Sequence, residues 1–275
     1  MSLQTPLKKL ADDRIAINLG CGTRVAEGWN NLDFSPYGRL ARRRHLASLM
    51  RWMGLFSEAQ WHAIQSMNGD TIARDLRKGA PFESNTFDIV YHSHVLEHLD
   101  REAASPFLRE CLRMLKPRGR LRCVVPDLEV LIKRYGDAVA GVDAEEVHAI
   151  RHYDRAVDNI LEQMVRTRPG GRENHGVIAR TVQDLVYGDP HRTGELHRWM
   201  YDRISLPRLL RQVGFVNVEC VAVDESRIDV WNTFGLDKNP DGVPHKRNSL
   251  YVEGEKPAES DGSLEHDVQR GQWAA

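Results

Sequence analysis

At 275 residues the chain is long enough for one large domain or a domain with a substantial insertion. Thirty-eight lysines and arginines nearly balance thirty-nine aspartates and glutamates, at a pI near 6.9, so nothing in the charge demands a nucleic acid or an anionic membrane as partner. No apolar run is long enough to span a bilayer, the N-terminus lacks the apolar core of a signal peptide, and Cys21, Cys111, Cys123 and Cys220 are scattered without a Cys-x-x-Cys pair, as suits free thiols in a reducing cytosol.

After a polar lead-in over residues 1–13, Arg14 to Leu19 is a short apolar run that meets Gly20-Cys21-Gly22. It reads as a buried strand ending in a tight turn, where glycine tolerates positive φ and lets a ligand approach bare amides. Trp29 to Asp33 reads as a second short strand ending in a carboxylate, which can accept both hydrogen bonds of a ribose diol. Only ten residues separate Gly22 from Asp33, too few for a full crossover helix, so the helix after the turn is expected to be clipped or replaced by a loop. Amides around Gly20 to Thr23 would then do the work of a helix N-terminus.

Residues 38–66 are an insertion. Leu46, Leu49, Met50 and Met53 recur at helical spacing among Arg42, Arg43, Arg44 and Arg51, Gly54 breaks the run, and Ser57 and Gln60 have capping-box spacing before Trp61 and Ile64. The pattern fits a solvated face over a small core, or a basic amphipathic helix in peripheral contact with a membrane or clamping an anionic substrate. Thr71 to Asp75 is a third candidate strand ending in an acid, and Phe87 to Ser93 a fourth that runs into His94-Val95-Leu96-Glu97-His98-Leu99. Four strand ends that are polar or glycine are expected if all carboxyl ends face one crevice. Ser105-Pro106 suits a helix start, Phe107, Leu108, Cys111 and Leu115 form its stripe, and Arg120 to Val125 is a fifth strand.

Residues 127–200 read as helical: one helix capped by Asp127, a second from about Ala144, and a third around Ile178, Val182 and Leu185, with loops at 168–176 and 187–195. Ser205 to Gly214 is a further helix, Phe215 to Val223 a sixth strand and Ser249 to Glu253 a seventh, separated by the long loop 224–248. The organisation expected is a core domain from 1–126 and 197–256, a helical cap over an acceptor site from 127–196, and a polar, disordered tail from 257–275.

In order along the chain, Asn18-Leu19-Gly20-Cys21-Gly22, Leu32-Asp33, Asp75-Leu76 with Pro81-Phe82, Phe87-Asp88-Ile89-Val90, His94 to Leu99 and Arg113-Met114-Leu115-Lys116-Pro117 resemble the class I S-adenosylmethionine-dependent methyltransferases, and within them a small "type 11" branch. The resemblance covers about the first half of the chain. It implies an α/β, Rossmann-like, seven-stranded and mostly parallel sheet whose last strand is antiparallel, with S-adenosyl-L-methionine as cofactor. On it, Asn18, Leu19, Gly20, Cys21 and Gly22 bind the cofactor, with Gly20 and Gly22 bordering its methionine end, Asp33 holds the ribose, Asp75 the adenine amine with Leu76 against the ring, and Ser93 and His94 pass under the sulfonium. The family commonly has two glycines after the proline; Arg118 stands at the first, a change expected to touch only the turn. The branch is often linked to glycan biosynthesis, which suggests a small-molecule or saccharide acceptor in the cytoplasm, an associational step.

Methyl transfer from a sulfonium asks for in-line positioning, exclusion of water and, for some acceptors, a base. His94 and His197 are the candidates for that base, with Asp202 and Tyr201 behind them. His92, His94 and His98 crowd one turn and His191 and His197 fall near the cap, but their spacing matches no compact ligand set, so no metal is expected and Glu97-His98 reads as a structural pair. Two other functions remain open: a catalytically silent cofactor-binding or scaffold domain, and a nicotinamide-dependent oxidoreductase, for which the third glycine and full helix are missing.

Overall fold

The computed structural model describes residues 6–33, 36–41, 43–56, 58–66, 71–73, 80–141, 147–164 and 197–258. Asp75, Leu76, His191, the helix expected around 178–185 and the loops at 168–176 and 187–195 lie outside them.

Seven strands form one sheet: β1 (Ala16–Leu19), β2 (Asn30–Asp33), β3 (Ile72–Ala73), β4 (Phe87–Ser93), β5 (Leu115–Pro126), β6 (Val216–Val221) and β7 (Ser249–Glu255). Their order is β3-β2-β1-β4-β5-β7-β6. β1, β2, β3, β4 and β5 pair in parallel, and β7 runs antiparallel to both β5 and β6. This is the mostly parallel α/β arrangement expected from the run of strand-like segments. The chain works outward from β1 through β2 to β3, then returns to β4 on the other side. The switch point therefore lies between β1 and β4, where a crevice opens at the carboxyl ends of the strands.

Alternation along the strands divides two apolar layers. Ile17, Leu19, Val90, Leu121, Cys123 and Val125 face one side, under α4 (Arg101–Met114) and α7 (Ser205–Val213). Ala16, Ile89, Tyr91, Val124 and Tyr251 face the other, where Trp29, Ile228, Trp231 and Leu236 cover them. The second layer has a loop rather than a helix for its cover, and a buried ion pair anchors that loop. Arg122, fully buried on β5, donates from Nε to Asp237 Oδ2 at 2.7 Å and from one terminal nitrogen to Glu253 Oε1 at 2.7 Å. Asp237 also accepts from the Tyr91 hydroxyl at 2.7 Å and from Trp231 Nε1 at 2.8 Å. Each buried charge thus meets several partners, the condition under which burial is tolerated.

Residues 20–29 contain no helix, as the short spacing required. The insertion folds as α1 (Pro36–Ala41), α2 (Arg44–Trp52) and α3 (Glu58–Ser66) around Leu40, Ala47, Met50, Phe56 and Ile64. Gly54, at φ +71°, ends the α2 turn. Leu46, Leu49, Trp52 and Met53 stay exposed on this unit beside the exposed Arg43 and Arg44. After β5 come α5 (Leu128–Ala140), capped by Asp127 through the Glu129 N–H at 2.9 Å, and α6 (Val147–Met164).

The third strand holds Ile72–Ala73 among the described residues, and Arg74 and Asp75 lie outside them. Two expectations need correction. α4 begins at Arg101, a turn before Ser105, and encloses Pro106. An interior proline costs about 3 kcal/mol through its missing N–H; here Pro106 faces solvent, while Ala104, Phe107, Leu108, Cys111 and Met114 bury the opposite stripe. β5 starts at Leu115, immediately after α4, and Arg118 inside it takes the left-handed φ of +64° that a glycine would adopt without strain.

Candidate active site

Register brings the chemistry to one edge. Leu19 pairs with Leu32 on one side and with His92 on the other, so Gly20, Asp33 and Ser93-His94 leave neighbouring strands at the same level. The chain turns immediately: the Gly20 and Cys21 N–H groups both donate to the Leu32 carbonyl, at 2.7 and 3.1 Å. Any other residue at Gly20 (φ +68°) would force a shift, since a Cβ there would lie 2.4 Å from Val95 Cγ2. Gly22 (φ +51°) is the opposite case, with open space around its Cβ position. Its N–H donates at 2.8 Å to Oδ2 of the buried Asp33. Burial pushes the Cys21 thiol pKa up, and the Asp33 charge adds to it, so Cys21 is a wall and not a nucleophile.

The crevice over this turn holds about 260 Å³ and is lined by Asn18, Gly20, Gly22, Arg24, Ser93 and His94, among others. Arg24 lacks an obvious motif. Its carbonyl accepts from Asn18 Nδ2 at 2.8 Å, and a terminal guanidinium nitrogen meets Asn239 Oδ1. Its buried Nε has no partner among the described residues. An open cradle at Gly22, a carboxylate at Asp33 and an unsatisfied guanidinium nitrogen suit a ligand that carries both a diol and a carboxylate. Leu19 is buried within β1 beneath the turn. Whether Asp75 and Leu76 complete the site is outside the described residues.

His94, at φ +53°, turns its ring away from β4. Nδ1 lies 2.9 Å from Glu97 Oε1 and Nε2 lies 3.0 Å from Ser249 Oγ. Ser249 Oγ also lies 3.1 Å from the Lys246 carbonyl. The serine has one hydroxyl proton for two acceptors. With His94 neutral and Nδ1 protonated, that proton faces Nε2; with both nitrogens protonated, it turns to the Lys246 carbonyl.

Glu97 is fully buried. Burial alone would raise its pKa, but the His94 contact and the charges of His94, His98 and His197 outweigh it and bring the pKa to about 2. His197 Nε2 lies 4.0 Å from Glu97 Oε1, and the His98 and His197 rings stand 4.8 Å apart, edge to face. One ligand atom each from Glu97, His98 and His197 fall within 4.8 Å of one another, so these are the residues that could hold a metal ion. Sequence spacing alone presented no such set, because His197 joins from a distant segment. His92 does not join it: the ring is fully buried against Phe107, at 5.2 Å between centroids, and burial lowers its pKa to about 4.

Asp202 is committed elsewhere, its Oδ1 accepting from the Ile204 and Ser205 N–H groups and the Ser205 hydroxyl at 2.9, 2.7 and 2.8 Å. These bonds, in the turn that leads into α7, hold its pKa low, which removes it as a base. Tyr201 is buried, and burial pushes its pKa up.

A second cavity of about 240 Å³ adjoins the crevice and shares His94, His197 and Lys246 with it. Its other walls come from α5 (Leu131), α6 (Asn159) and the segment Lys246 to Asn248.

Residues 55–123 match the model of a methyltransferase domain family. That span runs from α3 to β5 and begins after the glycine turn. No curated protein sequence matches the chain. Among solved structures, an S-adenosylmethionine-dependent methyltransferase from Archaeoglobus fulgidus is 13% identical, with 88% of this chain and 86% of that one covered and a TM-score of 0.40. The YcgJ protein of Bacillus subtilis is 11% identical over 89% and 92%, at 0.41. The 1,6-didemethyltoxoflavin-N1-methyltransferase of Burkholderia thailandensis, solved with S-adenosylhomocysteine, is 13% identical over 89% and 71%, at 0.38. The likeness to a methyltransferase domain spans 69 of the 275 residues, about a quarter of the chain.

Proposed function

We propose that this chain methylates a small-molecule or saccharide acceptor that enters through the cavity beside the glycine crevice, with His94 taking the acceptor's proton. The observation that carries this reading is the shared wall: one histidine, held from both ring nitrogens, stands where the two cavities meet.

When bound, S-adenosylmethionine supplies a methyl group on a positively charged sulfur, and a bond from the acceptor to that carbon forms as the carbon–sulfur bond breaks, the electron pair staying on sulfur. Gly20 and Gly22 admit the methionine portion, Arg24 binds its carboxylate and Asp33 accepts from the ribose hydroxyls. Asn18, Cys21 and Ser93 shape the wall, with Leu19 behind it. His94 takes the proton at Nε2 through Ser249: the serine hydroxyl gives its proton to Nε2 and receives the acceptor's proton in return, and the new hydroxyl turns to the Lys246 carbonyl. Glu97 holds the ring in place and balances the charge that appears on it. His197 lines both cavities and serves as the alternative base. α5 and α6 belong to a cap that closes the acceptor side through Leu131 and Asn159.

The test is transfer of labelled methyl from S-adenosylmethionine into fractionated lysate, with Asp33→Ala and His94→Ala controls. Label in a small-molecule or saccharide fraction, lost in both variants, supports the reading. Label confined to RNA or protein overturns it. S-adenosylhomocysteine binding with no transfer to any fraction favours a silent cofactor-binding domain.

A further inference from the structure

The acceptor cavity is more positive than a methyl transfer by itself requires. Among the described residues, no aspartate or glutamate lines this cavity. Lys246 and Arg247 edge it, with His94 and His197 beside them. In a chain of net charge −1, such a site is a local feature and not an overflow of basic residues.

Elsewhere some arginines find acids: the exposed Arg198 meets Asp100 at 2.8 Å, the exposed Arg203 meets Glu129 at 2.8 Å and the half-buried Arg120 meets Glu255 at 3.0 Å. Lys246 and Arg247 have no such partner among the described residues, and their side-chain nitrogens make no hydrogen bond there. The segment that presents them is nonetheless well anchored. The His245 N–H donates to the Asp237 carbonyl at 2.7 Å, and the Asp237 carboxylate is the one locked by Arg122, Tyr91 and Trp231. Lys238 and Pro244 close the loop by a β-bridge. The backbone that carries the two cations is therefore positioned before any ligand arrives, which lowers the ordering cost of binding. The positive field registers on His245, whose pKa falls to about 4 through partial burial and then the charges of Arg24, Lys246 and His94.

We infer that the acceptor carries an oxyanion, a carboxylate or a phosphate ester, held by Arg247 and Lys246 while its nucleophilic atom faces His94. This rests on the proposed reading of the adjoining crevice as the methyl-donor site. A planar guanidinium and a flexible ammonium side by side match either oxyanion, since carboxylate and phosphate both present paired acceptor oxygens.

The experiment uses the full chain saturated with S-adenosylhomocysteine, whose affinity is measured first. Orthophosphate, acetate and glucuronate are then titrated at constant ionic strength, with glucose as the neutral control, following Tm and heat of binding. Saturable binding of at least one anion is expected, with glucose inert. Arg247→Glu should weaken it about tenfold or more, the scale of one charge-assisted hydrogen bond. Arg247→Lys should restore part of the loss, and both variants should keep their affinity for S-adenosylhomocysteine. Preference between phosphate and the carboxylates identifies which oxyanion the acceptor bears. If S-adenosylhomocysteine binds but no anion saturates, or glucose binds equally, or Arg247→Glu changes nothing, the oxyanion inference falls and the donor site stands. If S-adenosylhomocysteine itself fails to bind, both fall.

Discussion

Gly20→Ala is the sharpest probe of the crevice, because its cost separates into two parts. The first is conformational: at φ +68° a residue with a Cβ pays about 1–2 kcal/mol that glycine does not. The second is steric. The new methyl would lie 2.4 Å from Val95 Cγ2, where carbon atoms in contact prefer roughly 3.5–4.0 Å. Val95 is β-branched and stiff at χ1, so relief must come from the backbone after β4, at the overpacking scale of about 1–3 kcal/mol. Together the substitution should cost about 2–5 kcal/mol, a fall in Tm of roughly 5–15 °C for a domain of this size. S-adenosylhomocysteine should bind at least about tenfold more weakly, because that segment carries His94 and the crevice wall. Val95→Ala removes the offending methyls. In a double-mutant cycle of Gly20→Ala and Val95→Ala, the steric part should reappear as a favourable coupling of about 1–3 kcal/mol, leaving the conformational part. Thermal melts and calorimetry on the four proteins decide the matter. A Gly20→Ala protein that melts and binds like the parent, or a cycle with no coupling, would refute the reasoning.

Asp33→Asn keeps the shape but removes the charge that meets the Gly22 N–H at 2.8 Å, and should weaken S-adenosylhomocysteine by about 1.5–3 kcal/mol in a binding titration. Unchanged affinity would exclude Asp33 from the ligand. Asp237→Ala leaves the fully buried Arg122 with Glu253 as its one remaining carboxylate and Tyr91 and Trp231 without their acceptor; urea unfolding should show a loss of about 3–5 kcal/mol, and a loss below about 1 kcal/mol would mean that the loop over the sheet is held by other contacts. Stability should also depend on pH through His92. Burial lowers its pKa from 6.5 to about 4 in the folded protein, so the unfolded chain takes up the proton first as pH falls. The contribution is whole above pH 6.5 and is lost as pH falls through 4, about 3 kcal/mol in all at 1.36 kcal/mol per unit. His92→Phe should flatten that part of the profile; an unchanged slope between pH 6.5 and 4 counts against a buried neutral imidazole. Glu97 acts lower on the scale: its folded pKa of about 2 lies below the ordinary 4.5, so its contribution is present above 4.5 and lost as pH falls through 2, a loss that Glu97→Gln should remove from acid-unfolding curves.

Much of this molecule was legible in the chain because strands and turns are local. The apolar run into Gly20-Cys21-Gly22, the acid at Asp33, the β4 segment Phe87–Ser93 and the ten-residue gap that excluded a helix all depend on neighbours within a few positions. The misreadings have the same origin. Ser105-Pro106 looks like a helix start by local preference, yet the buried stripe of α4 draws in an extra turn at Arg101. Arg118 holds a glycine-like φ because β5 continues past it and pairs with β7, and Lys256, just after β7, accepts from the Arg118 N–H and donates to the Gly119 carbonyl.

The carboxylate of Glu97 is a different matter. Beside His98 in sequence it looks like half of a structural pair; in the fold it is a buried charge facing His94, His98 and His197. Ser249 reaches His94 only because β7 inserts antiparallel beside β5, and Lys246 and Arg247 reach the acceptor cavity only because Arg122 and Asp237 tie down the loop before them. Periodicity and turn chemistry determine where strands begin and end, since these are settled over a few residues. Which side chains share a cavity depends on pairing across a hundred residues or more, and a charge shows its partners only once burial has removed the water that would otherwise screen it.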